Sequence, residues 1–155
     1  KIVKGTNVKL PFKNNFFDIL ISINTIHYEK NVNNILKSFK EYNRVLKKNG
    51  KIIIYEPNKL NPLIALIHLI DPIERGLLKF GTKKSYLNLI KKIDLKITFV
   101  KYSGIIVGPD AYIFEIISKI LNKKIFFKYF GWLNPKIFFI AEKNWKSHFF
   151  NIHEW

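Results

Sequence analysis

Hydrophobic and polar residues follow two different periods in the first third of the chain. Residues 17–23 form a short, branched, apolar run that is typical of a buried strand. Apolar residues then recur at helical spacing over residues 32–46, with Lys and Asn between them. Residues 52–55 form a second apolar run. Strand, amphipathic helix and strand with short connections predict a right-handed βαβ unit, and therefore a parallel sheet with helices on its faces.

The residues that flank the helical segment predict where it begins and ends. Asn31 is a candidate N-cap, because its side-chain oxygen can accept hydrogen bonds from amides of the first turn. Lys47 and Lys48 suit the negative end of the helix dipole. Gly50 is predicted to supply the left-handed residue that stops the helix.

The second half of the chain predicts further elements with a looser pattern. Its apolar segments correspond to a helix over 62–70, a helix that Thr82 caps, a strand over 95–102, a helix over 111–121 and a last strand over 136–142. No internal repeat or low-complexity linker separates these segments, so one domain is expected.

Composition narrows the classes of protein. A chain of 155 residues with 48% hydrophobic residues can form one modest core. The absence of Cys excludes disulfides and thiolate metal sites, and the four His residues form no spaced ligand cluster. No signal peptide is evident, and the longest apolar run, residues 63–70, is too short to span a bilayer. A soluble cytoplasmic protein is the expectation.

The formal net charge of +16 suggests a polyanionic partner, but its distribution argues against one. Arg occurs only at positions 44 and 75, whereas the many Lys residues are spread over the whole chain. Nucleic-acid readers use Arg and gather their charge in one patch, so a nucleic-acid partner is disfavoured. A non-catalytic basic binding module, such as an RNA-associated protein, stays open as the alternative function.

Five short motifs lie in a characteristic order in the first 62 residues. They are L-P-F (10–12), F-D-I-L (17–20), I-H-Y (26–28), R-V-L-K-x-x-G (44–50) and E-P-N-x-x-N-P (56–62). Together they resemble the central and later part of a class I S-adenosylmethionine-dependent methyltransferase. The resemblance is greatest to the small-molecule methyltransferases, which include the quinone-modifying ones.

This resemblance implies an α/β fold with a Rossmann-like sheet, parallel except for an antiparallel last strand. The family also carries an acidic Gly-rich turn and a second-strand carboxylate that hold the cofactor, and neither occurs in this sequence. The expectation is therefore an N-terminally truncated, incomplete enzyme in which the first strands are missing; a degenerate, non-catalytic pseudo-methyltransferase is the less favoured alternative. Residues 1–143 would be the C-terminal part of the methyltransferase domain, with an apolar cap over about 60–130 and an aromatic tail over 144–155.

The resemblance also implies residues that bind S-adenosylmethionine. Thr6 and Asn7 align with the family's adenine loop, although Thr6 replaces its Asp; a polar turn is the alternative. Ser22, Ile23 and Asn24 would line the methionine and sulfonium end of the cofactor at the carboxyl end of the strand. For Ile23 the alternative is a core position.

His27 is the candidate catalytic residue. By its position in the family it would face the transferring methyl group, and an imidazole can deprotonate a hydroxyl acceptor. The alternative is a histidine that packs the loop. For Glu56, at the end of the next strand, a turn-forming role is preferred to a position in the crevice.

The expected reaction is methyl transfer from S-adenosylmethionine to a small-molecule acceptor. The cap is rich in Ile, Leu and Phe, which suits an apolar acceptor or a transient contact with a membrane surface, although an ordinary packed core is the preferred interpretation. The sequence predicts neither the acceptor atom nor the oligomeric state.

Overall fold

The computed structural model describes residues 2–29, 31–70, 81–103, 116, 119 and 129–144. The predicted helix over 111–121 lies outside the described residues, except for Ile116 and Lys119, which are helical. The predicted tail over 144–155 also lies outside them, except for Asn144. Much of the predicted cap over about 60–130 is likewise outside the described ranges.

The described strands form one mixed sheet. They are β1 (Phe17–Ile23), β2 (Leu46–Pro57), β3 (Leu95–Ser103) and β4 (Lys136–Lys143), in the order β1-β2-β4-β3. The first two strands are parallel neighbours, with Ile23 opposite Tyr55 at their carboxyl ends. The last strand is antiparallel to both of its neighbours. The predicted parallel pair and antiparallel last strand are therefore confirmed.

Two helices cover one face of this sheet. Helix α1 (Val32–Val45) and helix α3 (Lys83–Ile90) both contact Phe139 of β4 through aromatic rings. The ring of Phe39 in α1 lies 6.4 Å from it, and that of Tyr86 in α3 lies 5.4 Å from it. The predicted helix over 62–70 is observed as α2 (Pro62–Ile70). The main core therefore lies between the sheet and the helices α1 and α3.

Side chains cap the first turns of α1 and α3 where the sequence predicts them to. The Asn31 side chain accepts a hydrogen bond from the Asn34 amide at 2.8 Å. Thr82 accepts one from the Ser85 amide at 3.1 Å, and Ser85 accepts one from the Thr82 amide in return. These bonds satisfy amides that lack a partner within the helix.

The predicted end of α1 is wrong in detail. The helix ends at Val45 and β2 begins directly at Leu46, so Lys47 and Lys48 lie in the strand. Asn49, with φ of 60°, takes the left-handed conformation that was predicted for Gly50. Asn tolerates this region better than most residues, because its short polar side chain can form local hydrogen bonds.

None of the helices among the described residues has the length and apolar character needed to cross a membrane. Nor do the described residues bring together a group of His, Asp and Glu side chains that could hold a metal ion.

Candidate functional site

The candidate site lies at the carboxyl ends of β1 and β2, where ligands of open α/β sheets bind. The chain turns away from β1 at Asn24, which has φ of 51°. Its amide donates to the Tyr55 carbonyl at 2.9 Å, and its side-chain oxygen accepts from the Lys136 ammonium at 2.6 Å. Asn24 therefore ends the strand pair and directs the following loop across the tip of β2.

A groove of about 300 Å³ runs beside β1, between this strand and residues 7–12. Its walls are mainly apolar and include Leu10, Phe12 and Leu20. Its polar floor consists of Ser22, Thr25 and Tyr42. The Ser22 hydroxyl lies 2.6 Å from that of Thr25 and 3.5 Å from that of Tyr42. Burial raises the pKa of the Tyr42 phenol, so it remains a neutral hydrogen-bonding group.

Two sets of hydrogen bonds hold residues 7–12 in place beside the strand. The side-chain amide of Asn7 donates to the Thr25 carbonyl at 3.4 Å and to the Glu29 carboxylate at 3.3 Å. Arg44, at the end of α1, donates to the carbonyls of Leu10 at 3.1 Å and Phe12 at 2.8 Å. The loop wall of the groove is therefore tied both to the β1 loop and to α1.

Glu41 completes the contact between α1 and this loop. Its carboxylate accepts from the Leu10 amide at 3.0 Å and pairs with Arg44 at 2.8 Å. The hydrogen bond from Arg44 lowers the pKa of the Glu41 carboxyl below its ordinary value of 4.5, and the same contact raises the pKa of Arg44. Both groups are therefore charged at neutral pH.

A buried carboxylate and a buried imidazole lie next to the floor of the groove. Glu56 is fully buried at the end of β2, and His27 is 4% exposed in the short 3-10 helix Ile26–Tyr28 that follows β1. The His27 Nδ1 atom lies 2.9 Å from Glu56 Oε2. The carboxylate also accepts from the backbone amides of Thr25 at 2.8 Å, Ile26 at 3.0 Å and His27 at 3.3 Å.

The buried side-chain amides of two Asn residues attach the chain after Glu56 to the segment before β4. Asn58 is fully buried and donates to the carbonyls of Trp132 at 2.6 Å and Asn134 at 2.7 Å. Asn61 donates to the Leu133 carbonyl and accepts from the Ile64 amide at 2.9 Å in the first turn of α2. The polar residues of the E-P-N-x-x-N-P motif thus each form hydrogen bonds to at least one neighbouring segment.

Both the sequence and the fold of this chain are similar to those of methyltransferases. Residues 1–54 match the sequence model of a family described as a methyltransferase domain. The solved structure of a putative methyltransferase, BH2331 from Bacillus halodurans, superposes with a TM-score of 0.57 at 15% identity, over 93% of this chain and 78% of that one. The chain has a class I methyltransferase fold.

Two further proteins are similar to this chain, one in structure and one in sequence. A Thermotoga maritima protein, TM1293, described as a SAM-dependent methyltransferase and possible histamine N-methyltransferase, shares the methyltransferase fold with a TM-score of 0.60 at 16% identity, over 92% of this chain and 63% of that one. Sterol 4-C-methyltransferase strm-1 of Caenorhabditis elegans is 38% identical over 61 residues, which are 39% of this chain and 17% of that protein. The aligned segment is thus less than a fifth of that relative's length.

Within this methyltransferase fold the predicted site residues fall into two groups. Asn7 and Ser22 line the groove. Thr6, Ile23 and Asn24 are exposed and lie outside its lining, and Thr6 forms a tight turn with Lys9. Ile23 is 54% exposed, so it does not occupy a core position. His27 is buried and is not among the residues that line the groove. The binding and catalytic roles of all these residues stay predictions.

Sequence reasoning missed Thr25 and Tyr42 of the groove and preferred the wrong one of two positions for Glu56. The sequence predicts no role for Thr25, Tyr42 falls within the helical apolar pattern of residues 32–46, and a turn-forming role is the prediction for Glu56. An acidic residue at the end of an apolar strand was the available signal for Glu56. In a parallel pair that position lies beside the loop that follows the neighbouring strand.

Proposed function

We propose that this chain forms one wall of the cofactor cleft in an S-adenosylmethionine-dependent methyltransferase, and that this enzyme acts on a small-molecule acceptor. The observation that carries the proposal is the match of residues 1–54, which contain β1 and the loops around the groove, to a methyltransferase domain. Methyl transfer needs little covalent help from a protein, because the enzyme mainly positions donor and acceptor and excludes water. The alternative of a non-catalytic basic module is not favoured by this match.

The groove suits part of S-adenosylmethionine in shape and polarity. Apolar walls can contact a flat ring, and the buried hydroxyls of Ser22 and Tyr42 can form hydrogen bonds with polar atoms. Asn7 and Thr6 would hold the adenine end, while Ser22, Ile23 and Asn24 would hold the methionine end. When bound, the cofactor supplies a methyl group on an electron-poor sulfonium.

His27 is the proposed general base for this transfer. Its imidazole would accept the proton of a hydroxyl acceptor, which makes that oxygen a better nucleophile. Support comes from its position directly after the β1 tip and from the buried carboxylate that contacts Nδ1. An acceptor whose nucleophilic atom carries no acidic proton would not need this base.

An apolar acceptor or a membrane surface is the proposed partner. Helix α2 exposes an apolar stripe, with Leu66, Leu69 and Ile70 at least half exposed. The net charge of +16 would add attraction to anionic lipids. The name of strm-1, a sterol 4-C-methyltransferase, is consistent with an apolar acceptor.

Flotation with anionic and neutral vesicles tests the contact with a membrane surface, and a Leu69→Glu variant should float less than wild type. A cytoplasmic location stays a prediction.

Label transfer tests the proposed reaction in the whole gene product. S-adenosylmethionine with a radioactive methyl group is incubated with fractionated lipid and polar extracts, and label is expected in one fraction. Ser22→Leu should abolish transfer, because it removes the buried hydroxyl and fills the floor of the groove. Asp18→Asn, an exposed change on the same strand, is the control. Absence of label from every fraction would contradict the proposal.

Residues 1–155 alone are predicted to have no measurable affinity for S-adenosylmethionine. The acidic Gly-rich turn and the ribose-binding carboxylate of the family are not in this sequence. Titration calorimetry of this chain with S-adenosylmethionine should therefore give no binding heat. Tight binding would show that the groove and its polar floor suffice.

A further inference from the structure

We propose that Glu56 is the positioning residue of the site: it fixes His27 in the tautomer that carries its proton on Nδ1 and its lone pair on Nε2. The inference rests on the proposed function only for the use of that lone pair as a base. The positioning itself is a property of the folded chain, and it follows from four contacts of one buried carboxylate.

The backbone explains why Glu56 reaches this position. Tyr55 is the last β2 residue paired with β1, opposite Ile23. Glu56 comes one residue later, beyond the end of β1, where the loop 24–29 crosses the tip of β2. Its side chain therefore meets the amides of that loop instead of a neighbouring strand residue.

The two carboxylate oxygens have separate partners. Oε1 accepts from the amides of Thr25 and Ile26, at 2.8 Å and 3.0 Å. Oε2 accepts from the His27 amide at 3.3 Å and lies 2.9 Å from Nδ1 of the same residue. Backbone amides can only donate, so Glu56 acts as an acceptor at three of its four contacts.

The fourth contact determines the tautomer. Three backbone amides direct their hydrogens at the two oxygens of Glu56, an arrangement that makes this side chain an acceptor, so we assign the hydrogen of the 2.9 Å contact to Nδ1. In a neutral imidazole the other ring nitrogen, Nε2, then has the lone pair. A carboxylate that only anchored the loop would need the three amide bonds and not the ring contact.

Aromatic neighbours fix the plane of the ring. The Tyr28 ring lies 4.1 Å from that of His27, and the His68 ring of α2 meets it edge-on at 5.8 Å. Both His27 and His68 are buried. With Nδ1 held by Glu56 and two rings packed against the imidazole, the ring has one preferred orientation.

Glu56→Gln replaces the acceptor that faces His27 Nδ1 by a donor, with little change in the shape of the side chain. The amide oxygen of Gln can still accept from Thr25 and Ile26, which places its nitrogen toward His27. That nitrogen can donate to Nδ1 but no longer accepts from the His27 amide, so one backbone bond is lost and the ring proton moves to Nε2. Asp18→Asn is the matched control, because it makes the same carboxylate-to-amide change in a side chain that is 78% exposed.

The measurement is the imidazole ¹⁵N spectrum of the uniformly labelled 155-residue chain at mildly alkaline pH. His27→Gln and His68→Gln spectra assign the signals. Wild type and Asp18→Asn should show a protonated Nδ1 and an unprotonated Nε2 for His27. Glu56→Gln should show the reverse, with a backbone amide spectrum that remains dispersed.

Several outcomes would overturn the inference. An unprotonated Nδ1 or a doubly protonated His27 ring in wild type would do so without any variant, even if Glu56→Gln failed to fold. An unchanged tautomer in a folded Glu56→Gln would do so as well. None of these results depends on methyl transfer. The spectra therefore test the positioning, and the label-transfer experiment tests the proposed reaction.

Discussion

At the scale of the residue, Gly50 allows β1 and β2 to approach closely where their pairing begins. It is buried, and a Cβ atom there would lie 2.9 Å from the Lys47 carbonyl oxygen. The same atom would lie 3.1 Å from the carbonyl oxygen of Phe17 and 3.2 Å from that of Asp18. All three atoms belong to the backbone, so they cannot move aside as the end of a flexible side chain can. Gly50 is therefore required for contact between strands, whereas Asn49 provides the positive φ.

Gly50→Ala should lower the free energy of unfolding by about 1–3 kcal/mol, the usual range for overpacking a buried position. Urea unfolding followed by circular dichroism would measure the loss. Asn49→Gly is the control, because Gly adopts a φ of 60° without strain and should change stability by less than about 1 kcal/mol. Equal stability of Gly50→Ala and wild type would contradict the proposed close approach.

The sequence could not separate these two roles. In the run K-K-N-G, both Asn and Gly are able to adopt a left-handed conformation, and Gly is the commoner choice at helix ends. The close approach that reserves position 50 for Gly involves Phe17 and Asp18, which lie more than 30 positions earlier. Only the register of the two strands brings them together.

At the scale of the element, Arg44 and Glu41 join α1 to the groove wall. Arg44 donates to two loop carbonyls, and Glu41 accepts from a loop amide. The motifs L-P-F and R-V-L-K-x-x-G, more than 30 residues apart, therefore meet in one contact. Periodicity predicted α1, its N-cap and the strands on either side. It could not predict contacts of this range, nor the one between His27 and Glu56.

The contribution of Glu41 to stability should depend on pH. Its folded-state pKa is lowered, chiefly by the hydrogen bond from Arg44, so its stabilisation is complete above the ordinary value of 4.5. As pH falls through the lower folded-state pKa, the carboxylate is protonated and that stabilisation is lost. Wild type should thus be more stable than Glu41→Gln at pH 7. This difference in the free energy of unfolding should shrink as the pH is lowered below 4.5.

Urea unfolding at neutral and acidic pH would measure this difference. In an Arg44→Gln background, Glu41→Gln should show a much smaller pH dependence, because the main cause of the pKa shift is gone. A difference that is constant with pH would contradict the assigned pair. A pH dependence that is the same in the Arg44→Gln background would also contradict the assigned pair.

At the scale of the whole molecule, β1 combines an edge position with an apolar exposed face. Among the described strands it pairs only with β2. Ile19, Ile21 and Ile23 point away from the α1 side and are 57%, 62% and 54% exposed. Such an edge is a template for pairing with another chain. The net charge of +16 opposes self-association, and it acts over a range that salt shortens.

Self-association of the 155-residue chain should therefore increase with salt and protein concentration. Raising ionic strength from about 0.01 M to 1 M shortens the Debye length from about 30 Å to 3 Å, which weakens charge repulsion but leaves the apolar edge intact. Sedimentation velocity should show larger species at the higher salt. Ile21→Lys should reduce them, because it places a charge on the edge strand. Val32→Lys adds the same charge at a half-exposed position in α1 and should not. If both variants reduce association equally, net charge alone accounts for it and the β1 edge is not the contact.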